Sequence, residues 1–248
     1  MRCLAARCYT LRMRRYIVFL LLLTVKMISR VLFRVRLSWL HDEHDPWANL
    51  RVLAVLNHTS LFEPIFVAAA PNRLLWQIAT HGVIPVADKT ARRPLVGQFF
   101  RLVAHDVVPI TRERDDTWAL FLSRVQDPHT LIVILPEGRM KRPGGRDAHG
   151  NPMTVRGGVA DILAGIPEGK LLIAYSQGLH HIHAPGDPLP RLFRKARLRA
   201  ETLDIPTYRS QMLARHGQDG FKRAVVEDLM RRRDECCPED DCGPEEGC

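Results

Sequence analysis

Thr130-Leu-Ile-Val-Ile-Leu135 runs directly into Pro136-Glu137-Gly138. An unbroken β-branched and leucine run, closed by proline and glycine, reads as a buried strand stopped by a turn. Strands of this kind belong to sheets with both faces covered by helices. Similar runs lie on either side of it. They are Leu50-Arg-Val-Leu-Ala-Val-Leu56, which ends at Asn57-His58, Leu74 to Thr80, Val107-Val-Pro-Ile110 and Lys170-Leu-Leu-Ile-Ala-Tyr175. Helical stretches separate them: Glu63 to Ala70 with Pro64 in the first turn, Pro94 to Val103, a helix through Val125 capped by Asp115 or Asp116, and Val155 to Gly165. Strand and helix alternate at βα spacing. The pattern predicts an α/β fold, a mixed and largely parallel sheet flanked by helices. Leu198 to Leu203 adds an outer strand. Tyr208 to Arg215 and Gly220 to Arg233 are helical, with Gly217 as the stop between them.

Composition agrees with one such domain. The chain has 248 residues, 46% of them hydrophobic, and a formal charge of +9. That length supports a substantial core without a metal or disulfide staple. A mean hydropathy of −0.12 excludes a polytopic membrane protein but not one membrane-attached segment. The positive charge attracts polyanions. Zinc-finger spacing, RNP-like aromatics and a helix-turn-helix are all missing from the sequence, so nucleic acid is not an expected partner. Cys3, Cys8, Cys236, Cys237, Cys242 and Cys248 lie at the two ends, which argues against a disulfide framework and for a reducing compartment. Residues 234–248 are acidic and poor in apolar side chains, and are expected to be a disordered tail.

At the other end, Arg2, Arg7, Arg12, Arg14 and Arg15 precede the apolar run Tyr16 to Val25. This resembles the start of a signal peptide, but Lys26-Met-Ile-Ser-Arg30 stands where a small-x-small cleavage site belongs. The run is also shorter than the about 20 residues a spanning helix needs. Beyond it, Lys26, Arg30 and Arg34 recur every fourth residue, with Ile28, Val31, Leu32, Val35 and Trp39 opposite. The spacing predicts a basic amphipathic helical motif lying on a membrane over residues 13–40. Residues 1–12 carry no structural signal, and Met13 is an alternative start. The expected division is therefore 1–12 disordered or untranslated, 13–40 membrane motif, 41–233 one domain, and 234–248 tail.

Chemistry-bearing residues gather at two predicted strand ends. His58 follows Leu50–Leu56, and Glu63 opens the next helix. A turn brings that carboxylate back to one ring nitrogen, which leaves the other as a general base. Ser60 lies between them, but nothing resembles a nucleophile elbow. Arg112 and Arg114 follow the strand ending at Ile110. Glu137, Gly138, Arg139, Lys141 and Arg142 follow the strand ending at Leu135. Basic residues at strand ends suit a phosphate, and glycine allows close backbone approach. His180-His181-x-His183 makes a poor metal site, because adjacent ligands do not easily converge on one ion, and His41-x-x-His44 after Trp39 reads as an interfacial linker. No metal or redox cofactor is expected.

In this order the motifs resemble the glycerolipid acyltransferases of the lysophosphatidic acid and glycerol-3-phosphate type. The likeness covers residues 50 to 176. The first signature is Asn57-His58-Thr-Ser60-Leu-Phe-Glu63, with Glu63 where the family usually has Asp. The second ends in Arg112. The third is Leu135-Pro136-Glu137-Gly138-Arg139-Met140, in which the positive charge is displaced by one residue. Arg156-Gly157-Gly158 resembles the basic-glycine segment ahead of a helix. Leu171 to Tyr175 stands for the fourth signature without its proline. The resemblance implies a glycerol-3-phosphate acyltransferase-like fold with N-terminal membrane-lying helices. It implies an O-acyltransferase that uses acyl-CoA or acyl carrier protein as donor and a lysophospholipid as acceptor. The expected acceptor is 1-acyl-sn-glycerol 3-phosphate, giving phosphatidate, among membrane phospholipids on the cytoplasmic face of the inner (plasma) membrane. His58 and Glu63 would be catalytic. Arg112, with Arg139 or Lys141, would hold the phosphate in a pocket shaped by Glu137 and Gly138. Three rivals stand beside it: transfer to another lysolipid or glycerol 3-phosphate, a thioesterase on the same His/Glu pair, and a non-enzymatic basic protein that binds membranes or nucleic acid.

Overall fold

The computed structural model describes residues 2–92, 98, 102, 104–111, 116–142 and 144–237, and of residues 2–12, 89 and 90 the backbone only. Its centre is a seven-stranded sheet: β1 (Arg34–Trp39), β2 (Leu50–Leu56), β3 (Gly82–Ala87), β4 (Asp106–Ile110), β5 (Leu131–Ile134), β6 (Lys170–Gln177) and β7 (Lys195–Asp204). The strand order is β1-β7-β6-β2-β5-β3-β4. Five neighbouring pairs are parallel, and only β6 and β7 run antiparallel. The mixed, mostly parallel α/β architecture is the one the strand and helix alternation predicts.

Each face of the sheet has its own core, because successive side chains of a strand point to opposite sides. On one face Val52, Ala54, Ile132 and Ile173 pack beneath α4 (Asp116–Val125), α5 (Gly158–Gly165) and α7 (Ile205–Cys236). On the other, Leu50, Leu131 and Leu172 pack beneath α1 (Arg2–Leu32), a 3₁₀ helix (Glu63–Ala68) and α2 (Asn72–His81). Two short helices, α3 (Asp88–Ala91) and α6 (Leu179–Ile182), complete the described elements. Asp204 caps α7 by accepting the Thr207 N–H at 3.0 Å. The helix kinks at Gly217, whose φ of 66° suits glycine. Because β2, β3, β4, β5 and β6 run in the same direction, their carboxyl ends share one edge of the sheet. In open α/β sheets that edge is where ligands bind.

Several expectations need correction. Residues 13–40 do not form membrane-lying helices. The helix stops at Leu32, and Arg34-Val-Arg-Leu-Ser-Trp39 is a strand paired with β7. Its exposure alternates residue by residue, a period of two that outweighs the four-residue spacing of the basic side chains. Lys26 turns inward, and Arg30, though exposed, bonds back onto the fold. Lys26 Nζ donates to Ala70 O at 2.7 Å and Asn72 Oδ1 at 2.6 Å, and Arg30 Nε donates to Ala68 O at 2.9 Å. They satisfy carbonyls at the end of the 3₁₀ helix. Among the described residues, no helix is long and apolar enough to cross a membrane.

Leu74 to Thr80 is helical, not a strand. Leu74, Leu75, Ile78 and Ala79 are buried at helical spacing, and the true strand β3 follows it. Pro85 in β3 lies opposite Val108 of β4, beyond the part of the strand that β5 pairs with. The strand expected at Leu198 to Leu203 is longer than read. It lies inside the sheet, between β6 and β1. The helix expected over Pro94 to Val103, Arg112, Asp115, and all of the tail beyond Cys237 lie outside the described residues.

Candidate active site

β2 delivers its last residue, Leu56, to the carboxyl edge, and Asn57 then turns left-handed at φ 63°. Asparagine tolerates this conformation better than most side chains. Its side chain secures the turn. Asn57 Nδ2 donates to Ser176 O and to Gln177 Oε1, each at 2.7 Å, and Oδ1 accepts from Lys141 Nζ at 3.1 Å. Ser176 Oγ returns a bond to Asn57 O at 2.9 Å. The loop after β2 is thus fixed to the end of β6.

His58 comes next and is 8% exposed. Its Nδ1 lies 2.6 Å from Glu63 Oε1, the first residue of the 3₁₀ helix. Pro64 presets the first turn of that helix. A carboxylate on Nδ1 places the neutral ring's proton there and leaves the Nε2 lone pair as the base. Burial opposes a charge on the ring. The charge and hydrogen bond of Glu63, with the more distant charge of Glu137, outweigh burial and hold the His58 pKa above its ordinary value. Ser60 is fully buried. Its hydroxyl donates to His183 O at 2.8 Å and accepts from the Phe62 N–H at 3.2 Å. With its proton committed to a carbonyl, Ser60 is not set up as a nucleophile.

The loop after β5 grips the same histidine. Glu137 is 1% exposed, and both of its oxygens face protein donors. Oε2 accepts the His58 main-chain N–H and Oε1 accepts Arg233 Nη1, each at 2.9 Å. The Lys141 N–H donates to His58 O at 2.7 Å. The backbone of His58 is therefore held on both sides. Gly138 has φ 61°, and its N–H closes the turn onto Leu135 O at 2.9 Å. Arg139 pairs through Nη1 with Asp147, whose carboxylate also accepts the His149 and Asn151 N–H groups. Burial raises the Asp147 pKa, but these bonds outweigh it and hold the carboxyl well below the usual range.

His58, Glu63, Gly138 and Arg139 line a cavity of about 750 Å³. Leu22, Val25 and Leu37 also line it, as do Arg156 and Lys222. The walls are mostly apolar, and Arg139, Arg156 and Lys222 are the lysine and arginine side chains on them. Sequence reasoning assigned the basic-glycine segment at Arg156 no role, and it missed Lys222 and Arg233 entirely. Arg233 is 96 residues from Glu137, and no local pattern marks it. Among the described residues, no group of three or more His, Cys, Asp or Glu is placed to hold a metal ion.

Comparison with known proteins fits this geometry. No curated protein sequence matches the chain significantly. Among solved structures, it is similar to the 1-acyl-sn-glycerophosphate (LPA) acyltransferase PlsC from Thermotoga maritima. The TM-score is 0.51 at 17% identity, over 96% of this chain and 85% of that one, a likeness of fold. A model of the family described as acyltransferase matches residues 40–170, more than half of the sequence and both loops that hold His58. The chain belongs to the acyltransferase family.

Proposed function

We propose that the protein transfers a fatty acyl group from the thioester of acyl-CoA or acyl carrier protein to the hydroxyl of a lysophospholipid. The acceptor we favour is 1-acyl-sn-glycerol 3-phosphate, and the product is phosphatidate. The observation that carries this reading is the 2.6 Å contact of His58 Nδ1 with Glu63, on the wall of a large, mostly apolar cavity. Nε2 takes the proton from the acceptor hydroxyl. The oxygen attacks the thioester carbonyl, and Glu63 supports the charge on the ring. The tetrahedral intermediate collapses, the C–S bond breaks, and the leaving thiolate recovers the proton from Nε2. No acyl-enzyme forms. The apolar part of the lining suits an acyl chain. Arg139 and Arg156 on the cavity wall, with Lys141 bound to Asn57 beside His58 and with Arg112, supply positive charge for the acceptor phosphate.

The acceptor in this reading is a membrane lipid. Such an acceptor resides in a bilayer, so the enzyme works at the bilayer surface. We assign that surface to the cytoplasmic face of the inner (plasma) membrane. The test is acyl transfer from labelled acyl-CoA or acyl carrier protein to a panel of acceptors: 1-acyl-sn-glycerol 3-phosphate, glycerol 3-phosphate and a phosphate-free lysolipid. The first is expected to react fastest. Equal rates on the phosphate-free acceptor overturn the phosphate assignment, and thioester cleavage without any acceptor makes the protein a thioesterase.

A further inference from the structure

The last turn of α7 lies outside the segment that carries the family match, yet it reaches the catalytic loop. Arg233 Nη1 donates to Glu137 Oε1 at 2.9 Å, and Glu137 Oε2 accepts the His58 N–H at 2.9 Å. The Glu137 side chain is fully buried and that of Arg233 is 12% exposed. A buried carboxylate without a counter-ion is costly, and it escapes that cost by taking up a proton or by rotating away. Either response weakens its hold on the His58 amide. Arg233 is itself fixed. Its Nη1 also donates to Met153 O at 3.1 Å, and its Nε donates to Asp234 Oδ1 at 2.8 Å. The helix that carries it is anchored independently. Arg232 pairs with Glu201 and Asp228 on a different side of the turn, while Phe221, Val225 and Leu229 are buried in the core.

We infer that Arg233 is a positioning residue for acyl transfer: its guanidinium neutralises Glu137, and Glu137 fixes the backbone of His58. The inference rests on the reading of His58 as the base. Glu63 sets the ring by its Nδ1, and Arg233 through Glu137 sets where the ring stands. A base displaced by a fraction of an ångström still binds both substrates but abstracts the proton poorly. The loss therefore falls on kcat.

The test compares the wild-type full chain with Arg233→Met, Arg233→Lys, Glu137→Gln and the double variant Arg233→Met/Glu137→Gln. Palmitoyl-CoA and 1-acyl-sn-glycerol 3-phosphate are the substrates, and thermal melts run alongside. Arg233→Met is expected to lower kcat by about tenfold or more, with both KM values within about twofold of wild type. Arg233→Lys keeps the charge and is expected to recover most of that loss. In the Glu137→Gln background there is no charge to neutralise, so Arg233→Met is expected to change kcat by less than about twofold. An equal loss in both backgrounds overturns the inference, and so does a loss confined to KM. Should Arg233→Met fail to fold, Arg233→Lys and Glu137→Gln carry the same comparison, and a lysine variant as impaired as Glu137→Gln overturns it. His58→Ala separates the two claims. Full activity of that variant removes the base assignment, whereas an inactive His58→Ala beside a normal Arg233→Met removes only the role of Arg233.

Discussion

The middle of the chain and its two ends divide the work differently. Residues 40–170 carry the family match and hold His58, Glu63 and Glu137 at the carboxyl ends of parallel strands. The ends lie outside it. Of the described elements there, α1 covers one face of the sheet and α7 the other, while β1 and β7 extend the sheet beyond β6. In the middle, the His58 ring meets Glu63 five residues on, and its main-chain N–H meets Glu137 within the same segment. At the ends, the contacts bridge long distances in sequence: Arg233 to Glu137, Lys26 to Ala70, and Arg232 to Glu201. The middle supplies the groups that react, and the ends keep them in place. Substitutions in the two regions are thus expected to fail in different ways, the first in rate and the second in stability or alignment.

The largest effect is expected in the middle. His58→Ala removes the base and is expected to lower kcat by about 10³-fold, within the span general-base catalysis supplies, with an unchanged melting temperature. A melt shifted with the rate would break the contrast between regions. Glu63→Gln comes second, at about 10²-fold, and it carries a pH signature. Glu63 keeps His58 charged to a pH above its ordinary 6.5, and the base works only when neutral, so the wild-type rate rises with pH through that raised value. Glutamine removes the main opposition to burial. The acidic limb of the pH–rate profile then moves to lower pH, while the plateau falls. A limb that stays in place would separate Glu63 from the titration of His58.

The ends respond in the other coin. Arg232 donates to Glu201 at 2.7 and 2.8 Å and to Asp228 at 2.7 Å, and Tyr175 and Tyr208 donate to the same two carboxylates. Arg232→Met strands buried charge and is expected to cost about 3 kcal/mol in denaturant unfolding, with kcat at moderate temperature nearly preserved. The smallest effect is expected from Ser60→Ala. It loses two hydrogen bonds, to His183 O and from the Phe62 N–H, at about 2 kcal/mol together, and it is expected to keep kcat within about threefold. A dead but folded Ser60→Ala would turn the serine into a nucleophile.

What the sequence disclosed follows the same division. β2, β4, β5 and β6 are apolar runs closed by turn residues, and each stands where the pattern predicts. The spacing of His58 and Glu63 foretold a contact that the first turn of the 3₁₀ helix closes. Helix and strand were confused where the run was short: Leu74 to Thr80 is apolar enough for either, and burial at i, i+1, i+4 and i+5 decides for a helix. At Arg34–Trp39 a strict alternation was hidden by basic residues that also fit a four-residue repeat. The pairing of Arg139 with Asp147 was not legible, because Asp147 lies in a loop whose geometry no periodicity reports. Arg233 was unreadable for a plainer reason. Its partner is chosen by the packing of α7 on the sheet, and sequence spacing holds no trace of that choice.

Direct transfer by a histidine base leaves no covalent intermediate on the protein. Intact-mass measurement of the full chain, mixed with acyl-CoA in the absence of acceptor and quenched at short times, distinguishes it from an acyl-enzyme route. The protein mass is expected to stay unmodified and acyl-CoA to stay stable, with thioester consumed only once the lysolipid is added. An acylated chain, with the label on Ser60 or a cysteine, would contradict direct transfer.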